Sequence, residues 1–256
     1  MRVSNNSNIS NFLFNFSSNP QNQALNLDVP FAMHFDELKQ RSLHLLCLLM
    51  LFSALAFFEI KPIVQFLEVP VSNLKFFQLS PGEYFLETVK IAFYTGIISI
   101  GPIMLSQVTF FISPGLTLNE KKLVFPLILI SVLLFFISIT FAYWCLIPAA
   151  LKFFIDYSSE VIEPLWSFTQ YCDFILVLFF TTAISFQIPI FQIILGILGV
   201  VSGTEMLKIW KYVILFAVII GAILTPSTDP ITQILLSGAI IILYFFGAGI
   251  LIFFKR

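Results

Sequence analysis

Long apolar runs separated by short polar segments dominate the chain. Six runs can be delimited, and most are close to or longer than the ~20 residues with which a helix crosses a bilayer: 42–60, 88–112, 123–147, 171–198, 209–224 and 231–254. The breaks between them hold Pro, Gly and charged residues, which mark turns and loops. The pattern predicts an all-α integral membrane protein of six transmembrane helices, in which residues 33–254 form a single membrane domain.

The runs differ in regularity. Pro102 follows Gly101 inside the second run, so a kink is expected there, because proline removes a backbone donor and clashes with the preceding turn. Pro148 is expected to stop the third helix. The fifth run has 16 residues, about 24 Å of helix, less than the ~30 Å hydrocarbon core. The sixth becomes apolar late, so two short C-terminal spans are predicted.

The segments outside the runs are predicted to be less regular. Residues 1–32 are rich in Asn and Ser, and their one apolar patch is too short for a signal peptide, so a disordered polar tail is expected. Leu116–Lys122 is expected to be a loop. Ala149–Gln170 mixes charged and aromatic residues, which suits a loop with a short helix in the headgroup region.

Composition agrees with the membrane prediction and excludes other classes. The chain is 59% hydrophobic and 11% charged with a mean hydropathy of +0.98, outside the range of soluble domains. A net charge of −1 and scattered basic residues give no sign of nucleic-acid binding. No phosphate-binding Gly-Lys-Ser/Thr loop is present and both histidines precede or open the first run, so no enzyme and no cofactor is expected.

Three cysteines show neither metal spacing nor an even count: Cys47, Cys145 and Cys172. Small apolar fillers inside helices are the simpler interpretation. A disulfide between Cys145 and Cys172 stays open, since both are expected near one membrane face. No metal site is predicted.

Basic residues indicate the orientation. If the N-terminus is on the cis (cytoplasmic or stromal) side, nine basic residues lie there and four lie on the trans side, which predicts that both termini are cis (N-in, C-in). The cis set is Arg2, Lys39, Arg41, Lys121, Lys122, Lys208, Lys211, Lys255 and Arg256, and the trans set is Lys61, Lys75, Lys90 and Lys152.

Two carboxylates are predicted at the cis face, beside different helix ends. Glu37 is one helical turn before Arg41, and Glu120 precedes Lys121 and Lys122. Two carboxylates at a partly hydrated surface can bind guanidinium groups through bidentate hydrogen bonds. Alternatively each pairs only with its local basic neighbour. The residues alone leave both interpretations open.

Four segments, in order, resemble motifs of TatC, the polytopic subunit of the twin-arginine protein translocase. His34–Arg41 is similar to the family's HL-x-EL-R-x-R segment, and Gln107–Lys122 is similar to its Q-V-x-x-F-x-x-P-G-L-x-x-x-E-[RK]-[RK] segment. Ser185–Pro189 resembles S-F-[EQ]-x-P, and Leu224–Gln233 resembles L-T-P-x-x-D-x-x-x-Q. The resemblance covers about residues 33–254.

The resemblance implies a receptor function. It implies a cupped, concave bundle with kinked helices that binds the twin-arginine signal peptides of folded precursors, nucleates an oligomeric translocation complex and works on the proton gradient. The acidic positions of the family that bind the paired arginines correspond to Glu37 and Glu120, with Lys39, Arg41 and Phe111 lining the same region.

Gln187 occupies a position where many bacterial relatives are described by Glu. An amide cannot titrate, so a proton relay at this residue is not expected. Gln187 either provides a polar spot in a concave wall for a partner helix or the signal peptide, or bonds backbone freed by Pro189.

Thr225, Asp229 and Gln233 lie where the last two spans are predicted to meet the trans face. The resemblance implies that single-span partners of the TatA and TatB type bind here. Helix capping and turn formation are the alternative role for Thr225 and Asp229, and the two roles are compatible.

Location and the competing function complete the predictions. Abundant Phe, Ile and Asn look like organelle coding, and Gln187 resembles thylakoid members, which favours a plastid thylakoid protein over a mitochondrial or bacterial inner-membrane one. A six-span small-molecule or ion transporter is the alternative, but it is expected to carry deep charged residues and repeated broken helices.

Overall fold

The computed structural model of the chain describes residues 20–71, 76–112, 118–158, 165–225 and 229–253. Within these ranges the side chains of residues 20–34, 112, 118–120 and 224 lie outside the description. Residues Met1–Cys47 and Leu48–Arg256 form two separate compact units.

Helices account for nearly all of the described residues. In chain order they are α1 (Pro20–Phe58), α2 (Ile60–Glu68), α3 (Glu83–Ile112), α4 (Leu118–Phe141), α5 (Ile147–Ser158), α6 (Phe168–Ser185), α7 (Ile188–Ile197), α8 (Gly203–Lys208), α9 (Trp210–Leu224) and α10 (Pro230–Phe253). Five helical segments of the described chain are long and apolar enough to cross a membrane, and α9 is a shorter apolar helix. The prediction of an all-α protein with six spans is confirmed, except for one two-residue strand pair.

Two helices start earlier than predicted. α1 begins at Pro20, inside the segment that the sequence predicts to be a disordered tail, whereas residues 1–19 lie outside the description. α4 begins at Leu118, so the loop predicted for Leu116–Lys122 is wrong over its last five residues. Polar and acidic residues such as Asn119 and Glu120 suit the first turn of a helix, where backbone donors are unpaired and the helix dipole is positive.

The predicted helix stop at Pro148 is also wrong. A π-helical turn, Ala142–Leu146, follows α4 and leads directly into α5, so helix continues to Ser158. In this wider turn the Ile147 N–H donates to the Ala142 carbonyl, five residues back. Pro148 then falls in the first turn of α5, where its missing N–H and fixed φ are tolerated. The helix predicted within Ala149–Gln170 is therefore a continuation of the third span.

The fourth apolar run is one span built from two helices. α6 ends at Ser185 and α7 begins at Ile188, with Phe186 and Gln187 between them. The backbone N–H of Gln187 donates to the Ile184 carbonyl at 3.0 Å. This bond spans three residues, so it tightens the turn that ends α6. Pro189 then occupies the first turn of α7, where a proline is favourable.

The last two spans differ in length. α9 has 15 residues, about 22 Å, so the prediction of a short fifth span is confirmed. α10 has 24 residues, about 36 Å, and the prediction of a short sixth span is wrong. Asp229 caps this helix by accepting a hydrogen bond from the backbone N–H of Thr232. The polar residues at the start of the sixth run, which led to the prediction of a short span, therefore form the first turn of the helix.

Burial identifies α6 and α7 as the centre of the bundle. In the apolar window of Phe168–Ile197, 67% of residues are buried, against 6% for Phe35–Phe58. Ile175 and Leu178 of α6 are completely buried in the largest hydrophobic cluster, together with Ile91 of α3. The apolar residues left exposed on the outer helices suit contact with lipid, where exposure carries no hydrophobic cost.

Two hydrogen bonds and a short strand pair at the predicted trans side attach the segment that follows α1 to the rest of the bundle. The Tyr143 hydroxyl donates to the Phe66 carbonyl at 3.0 Å, and the Tyr171 hydroxyl donates to the Leu67 carbonyl at 2.5 Å. Two short parallel strands, β1 (Phe76–Phe77) and β2 (Trp166–Ser167), pair beside them. The end of α2, the π-helical turn and the start of α6 are thus held together by backbone acceptors that the apolar pattern does not reveal.

Candidate functional site

The predicted pair at the start of the first span is present. The guanidinium of Arg41 donates to Glu37 at 2.5 Å, one turn along α1. The side chain of Glu37 is 35% exposed and that of Arg41 24% exposed, so the carboxylate is partly shielded from water. Lys39 lies on the same helix and is exposed. Local pairing of Glu37 is thereby confirmed, and the receptor role stays a prediction.

Phe111 and Glu120 belong to two packed helices. Phe111 is half-buried in the last turn of α3, and residue 120 lies in the first turn of α4. α3 and α4 pack against each other and run in opposite directions, so these two ends are at the same side of the bundle. The side chain of Glu120 lies outside the description.

Gln187 is buried at the break between α6 and α7. Its Oε1 accepts a hydrogen bond from the Ser131 hydroxyl of α4 at 2.8 Å, and its Nε2 faces the Ser131 carbonyl at 3.5 Å. The side chain is 4% exposed. The amide thus bonds to a neighbouring span and not to the turn around Pro189, and the surface that it offers to a partner is small.

A second buried amide, Gln192, lies one and a half turns further along α7. Its Nε2 contacts the Met206 sulfur at 3.8 Å, and its Oε1 has no hydrogen-bond partner among the described residues. Gly247 of α10 packs directly on it, since a Cβ at this glycine would lie 2.3 Å from Oε1. Two buried amides, one at the break before α7 and one on α7, therefore lie in this span, and the first of them is well paired.

The three residues predicted for partner contact lie at the ends of α9 and α10. Asp229 is 1% exposed and accepts hydrogen bonds from the Thr232 amide at 2.8 Å and hydroxyl at 2.5 Å. Thr225 ends α9 and is buried, and Gln233 donates to the Val218 carbonyl at 3.4 Å. The capping role of Asp229 is present in the structure, and partner contact stays a prediction.

One group of charges escaped the sequence analysis. Lys90 of α3 lies 2.8 Å from Glu87 and 2.7 Å from Asp173 of α6, so an ammonium group bridges two spans. Lys90 is seven residues after the start of α3, about 10 Å along the helix axis. The sequence analysis placed Lys90 at the trans side but gave it no partner. The Glu-x-x-Lys spacing that begins just before the second run was the available signal.

The cysteines and the metal prediction can be checked over the described residues. Cys47, Cys145 and Cys172 are free thiols, so the optional disulfide is not formed. Cys172 is buried in the core beside Ile175, as expected of an apolar filler. Among the described residues no group of three or more His, Cys, Asp or Glu side chains is arranged to hold a metal ion.

Comparison with protein families decides what kind of protein carries this arrangement. The family model described as "Sec-independent protein translocase protein (TatC)" matches residues 33–238. The chain belongs to the TatC family. This membership makes it a subunit of the twin-arginine translocase, a protein-transport component and not an enzyme, and it decides against the small-molecule transporter.

Named relatives support the assignment over most of the chain. An uncharacterised TatC-like protein, ycf43, of Trieres chinensis is 52% identical over 97% of this chain and 93% of its own length. The chloroplastic Sec-independent protein translocase protein TATC of Pisum sativum is 48% identical over 73% of this chain and 54% of its own length. The protein is accordingly a multi-pass membrane protein of the plastid type.

The fold matches a solved TatC structure. The crystal structure titled as the twin-arginine translocase receptor TatC superposes with a TM-score of 0.75 at 31% identity, covering 87% of this chain and all of that one. The arrangement of α3–α10 is therefore the TatC arrangement, and the resemblance seen in four short motifs extends to the whole bundle.

Proposed function

We propose that this TatC-family subunit is the receptor for twin-arginine signal peptides, with Glu37 and Glu120 as the carboxylates that bind the two arginines. The observation that carries the proposal is the half-buried Glu37 carboxylate, already arranged around a guanidinium, that of Arg41. A site that holds one guanidinium has the charge and geometry to hold another.

The pairing with Arg41 does not close the site. An ion pair between residues four apart on a helix is worth about 0.3–0.5 kcal/mol. A bidentate, charge-assisted bond to an incoming arginine is stronger. Exchange of Arg41 for a signal arginine at Glu37 is therefore favourable, and Arg41 with exposed Lys39 can turn to backbone carbonyls of the peptide. Phe111 provides an apolar and aromatic surface for the same peptide.

The test is binding of a purified twin-arginine precursor to the full-length protein in detergent. Glu37→Gln and Glu120→Gln are each expected to weaken binding about tenfold, since a lost charge-assisted bond costs about 1.4 kcal/mol. Asp36→Asn, an exposed neighbour on the same turn, is the matched control and is expected to bind normally. Normal affinity of the double variant, or equal binding of a lysine-pair precursor, would overturn the proposal.

We further propose that the ends of α9 and α10 contact the single-span partners of the TatA and TatB type. Asp229→Asn separates the two roles of this residue, because asparagine caps a helix as well as aspartate but has no charge. Reduced copurification of a partner with Asp229→Asn or Gln233→Leu at unchanged protein stability is expected. Thr232→Ser, which keeps the capped turn, serves as control, and unchanged copurification by all variants contradicts the contact.

Transport driven by the proton gradient across the thylakoid membrane, by an oligomeric complex, completes the proposed function. The plastid relatives and the six-span fold support it. In isolated thylakoids, an ionophore that collapses the gradient is expected to stop import of a twin-arginine precursor without releasing it from this protein. Continued import after collapse contradicts this part.

A further inference from the structure

The start of α9 carries an exposed patch of basic and aromatic side chains. It consists of Lys208, the last residue of α8, and of Trp210, Lys211 and Tyr212 in the first turn of α9. All four side chains are exposed, and the Lys211 ammonium lies 5.9 Å from the centre of the Trp210 ring. These four residues form the α9 patch. Basic and aromatic residues are enriched where spans meet the membrane surface, so the depth of this patch determines what it can bind.

Two sets of contacts fix the height of α9 against α10, its antiparallel neighbour. Towards the trans end of α9, Gly221 packs so closely that a Cβ there would lie 3.2 Å from the Gln233 carbonyl oxygen of α10. Just before the cis end of α9, the Tyr244 hydroxyl of α10 donates to the Met206 carbonyl at 3.2 Å. Met206 also packs in one cluster with Ala248. The α9 patch therefore lies at the level of α10 around Tyr244.

This level is well inside the apolar part of α10. After Tyr244 the helix continues to Phe253, about 13 Å further along its axis. All residues from Phe245 to Phe254 are small or apolar, and the first charged residue that follows is Lys255. Phe253 is 83% exposed, which suits contact with lipid. The two lysines of the patch are therefore held at a depth where the neighbouring span is still apolar.

Ammonium groups at this depth favour an anion beside them. Lysine stems can carry the charge part of the way to the surface, and cations near the hydrocarbon are stabilised by pairing. From Gly199 to Leu224 the sequence holds two lysines and one carboxylate, Glu205, and α10, the main neighbour of α9, holds no charged residue. Glu205 accepts a hydrogen bond from the Ser202 N–H at 2.9 Å, within the capping box of α8. The segment thus has one net positive charge, which one singly charged anion balances.

We infer that the α9 patch binds one anionic lipid of the cis leaflet through its phosphate or sulfonate headgroup. Lys208 and Lys211 supply two ammonium groups, whose charge-assisted hydrogen bonds to an anion are stronger than those of neutral donors. The indole N–H of Trp210 and the hydroxyl of Tyr212 are further donors beside them. A lipid suits this depth better than a soluble anion, because its acyl chains stay in the hydrocarbon while its headgroup reaches the lysines.

Quenching of tryptophan fluorescence by brominated lipids tests the site in the full-length protein in lipid vesicles. Phosphatidylglycerol with brominated acyl chains is compared with phosphatidylcholine that carries the same chains, at equal mole fraction. The wild type is expected to be quenched preferentially by phosphatidylglycerol. Trp210→Phe is expected to lose this preference, because Trp144 and Trp166, which remain, belong to the predicted trans side. Equal quenching of the wild type by both lipids overturns the inference.

Charge variants test whether the lysines cause the preference. Lys208→Gln and Lys211→Gln are each expected to lower the preference about fivefold, and the double variant about 25-fold. Lys208→Arg combined with Lys211→Arg is expected to keep it, because the charge is kept. Lys121→Gln combined with Lys122→Gln, an exposed lysine pair at the start of α4, is the matched control and is expected to behave as the wild type. An unchanged preference in the double glutamine variant, or its loss in the control, contradicts the inference.

Inorganic phosphate distinguishes a lipid from a soluble anion. Added at constant ionic strength, it is expected to leave the quenching by brominated phosphatidylglycerol unchanged, because the patch lies at the level of the lipid. Displacement of the lipid by phosphate would assign the patch to soluble anions and overturns the lipid site. None of these measurements involves a precursor, so their outcome is independent of the receptor function proposed above.

Discussion

Lys90→Met removes the ammonium group that lies between two carboxylates and keeps a chain of similar length and apolar character. Glu87 then has a buried carboxylate with no cation, since its exposure is 5% at the side chain. Asp173 is affected less, because its side chain is 52% exposed and can be hydrated. The two halves of the bridge therefore contribute unequally.

The magnitude follows from these exposures. A hydrogen bond to a buried charged group is worth about 1.5–3 kcal/mol, whereas an exposed ion pair is worth about 0.2–1 kcal/mol. We expect Lys90→Met to lower the free energy of unfolding by about 2–3 kcal/mol, mostly through Glu87. For a chain of this size the loss corresponds to a fall of about 4–12 °C in the unfolding temperature.

The assay is thermal unfolding of the full-length protein in detergent, followed by near-ultraviolet circular dichroism. Adding Glu87→Gln to Lys90→Met is expected to recover at least half of the loss, because the amide has no charge to leave unpaired. Asp173→Asn alone is expected to cost less than about 1 kcal/mol. Unchanged stability of Lys90→Met, or no recovery in the double variant, refutes this reasoning.

Three further predictions concern single contacts. Tyr171→Phe removes the bond to the α2 carbonyl and is expected to lower stability by about 1 kcal/mol, with faster proteolysis of the segment after α1. Ser131→Ala and Gln187→Leu are each expected to destabilise, and their double variant to cost less than the sum, which a double-mutant cycle measures. The Ser202 amide and hydroxyl hold the pKa of Glu205 below its usual range; the capping box therefore stabilises α8 at neutral pH and is lost as the pH falls through that lowered pKa. Hydrogen exchange of the α8 amides against pH checks this dependence, which Glu205→Gln should abolish.

The lengths of the apolar runs predicted the spans well because a helix that crosses a bilayer must be long and apolar. Helix ends were predicted less well, since they depend on local hydrogen bonds. Pro148 taken alone predicts the end of a helix. The π-helical turn before it, however, places Pro148 in the first turn of α5, where proline is tolerated. In the same way, Asp229 makes the polar start of α10 helical by capping it.

The sequence did not predict which side chains pair between different spans. The contact of Gln187 with Ser131 joins residues that are 56 positions apart, and the bridge from Lys90 to Asp173 joins residues 83 positions apart. No local spacing indicates either pairing. The intrahelical pair of Glu37 and Arg41 could be predicted, because residues four apart on a helix are neighbours.

Both long-range contacts end on the fourth span, and this location has a physical reason. Within a bilayer, apolar packing distinguishes poorly between alternative helix positions, because lipid tails are as apolar as the side chains that they replace. Hydrogen bonds and ion pairs therefore set the register of neighbouring helices. Lys90 and Asp173 fix α6 against α3 near the predicted trans side, and Gln187 with Ser131 fixes the α6–α7 break against α4. The two contacts lie at different heights of the fourth span, so loss of the first would free α6 from α3 while the second still holds the α6–α7 break against α4.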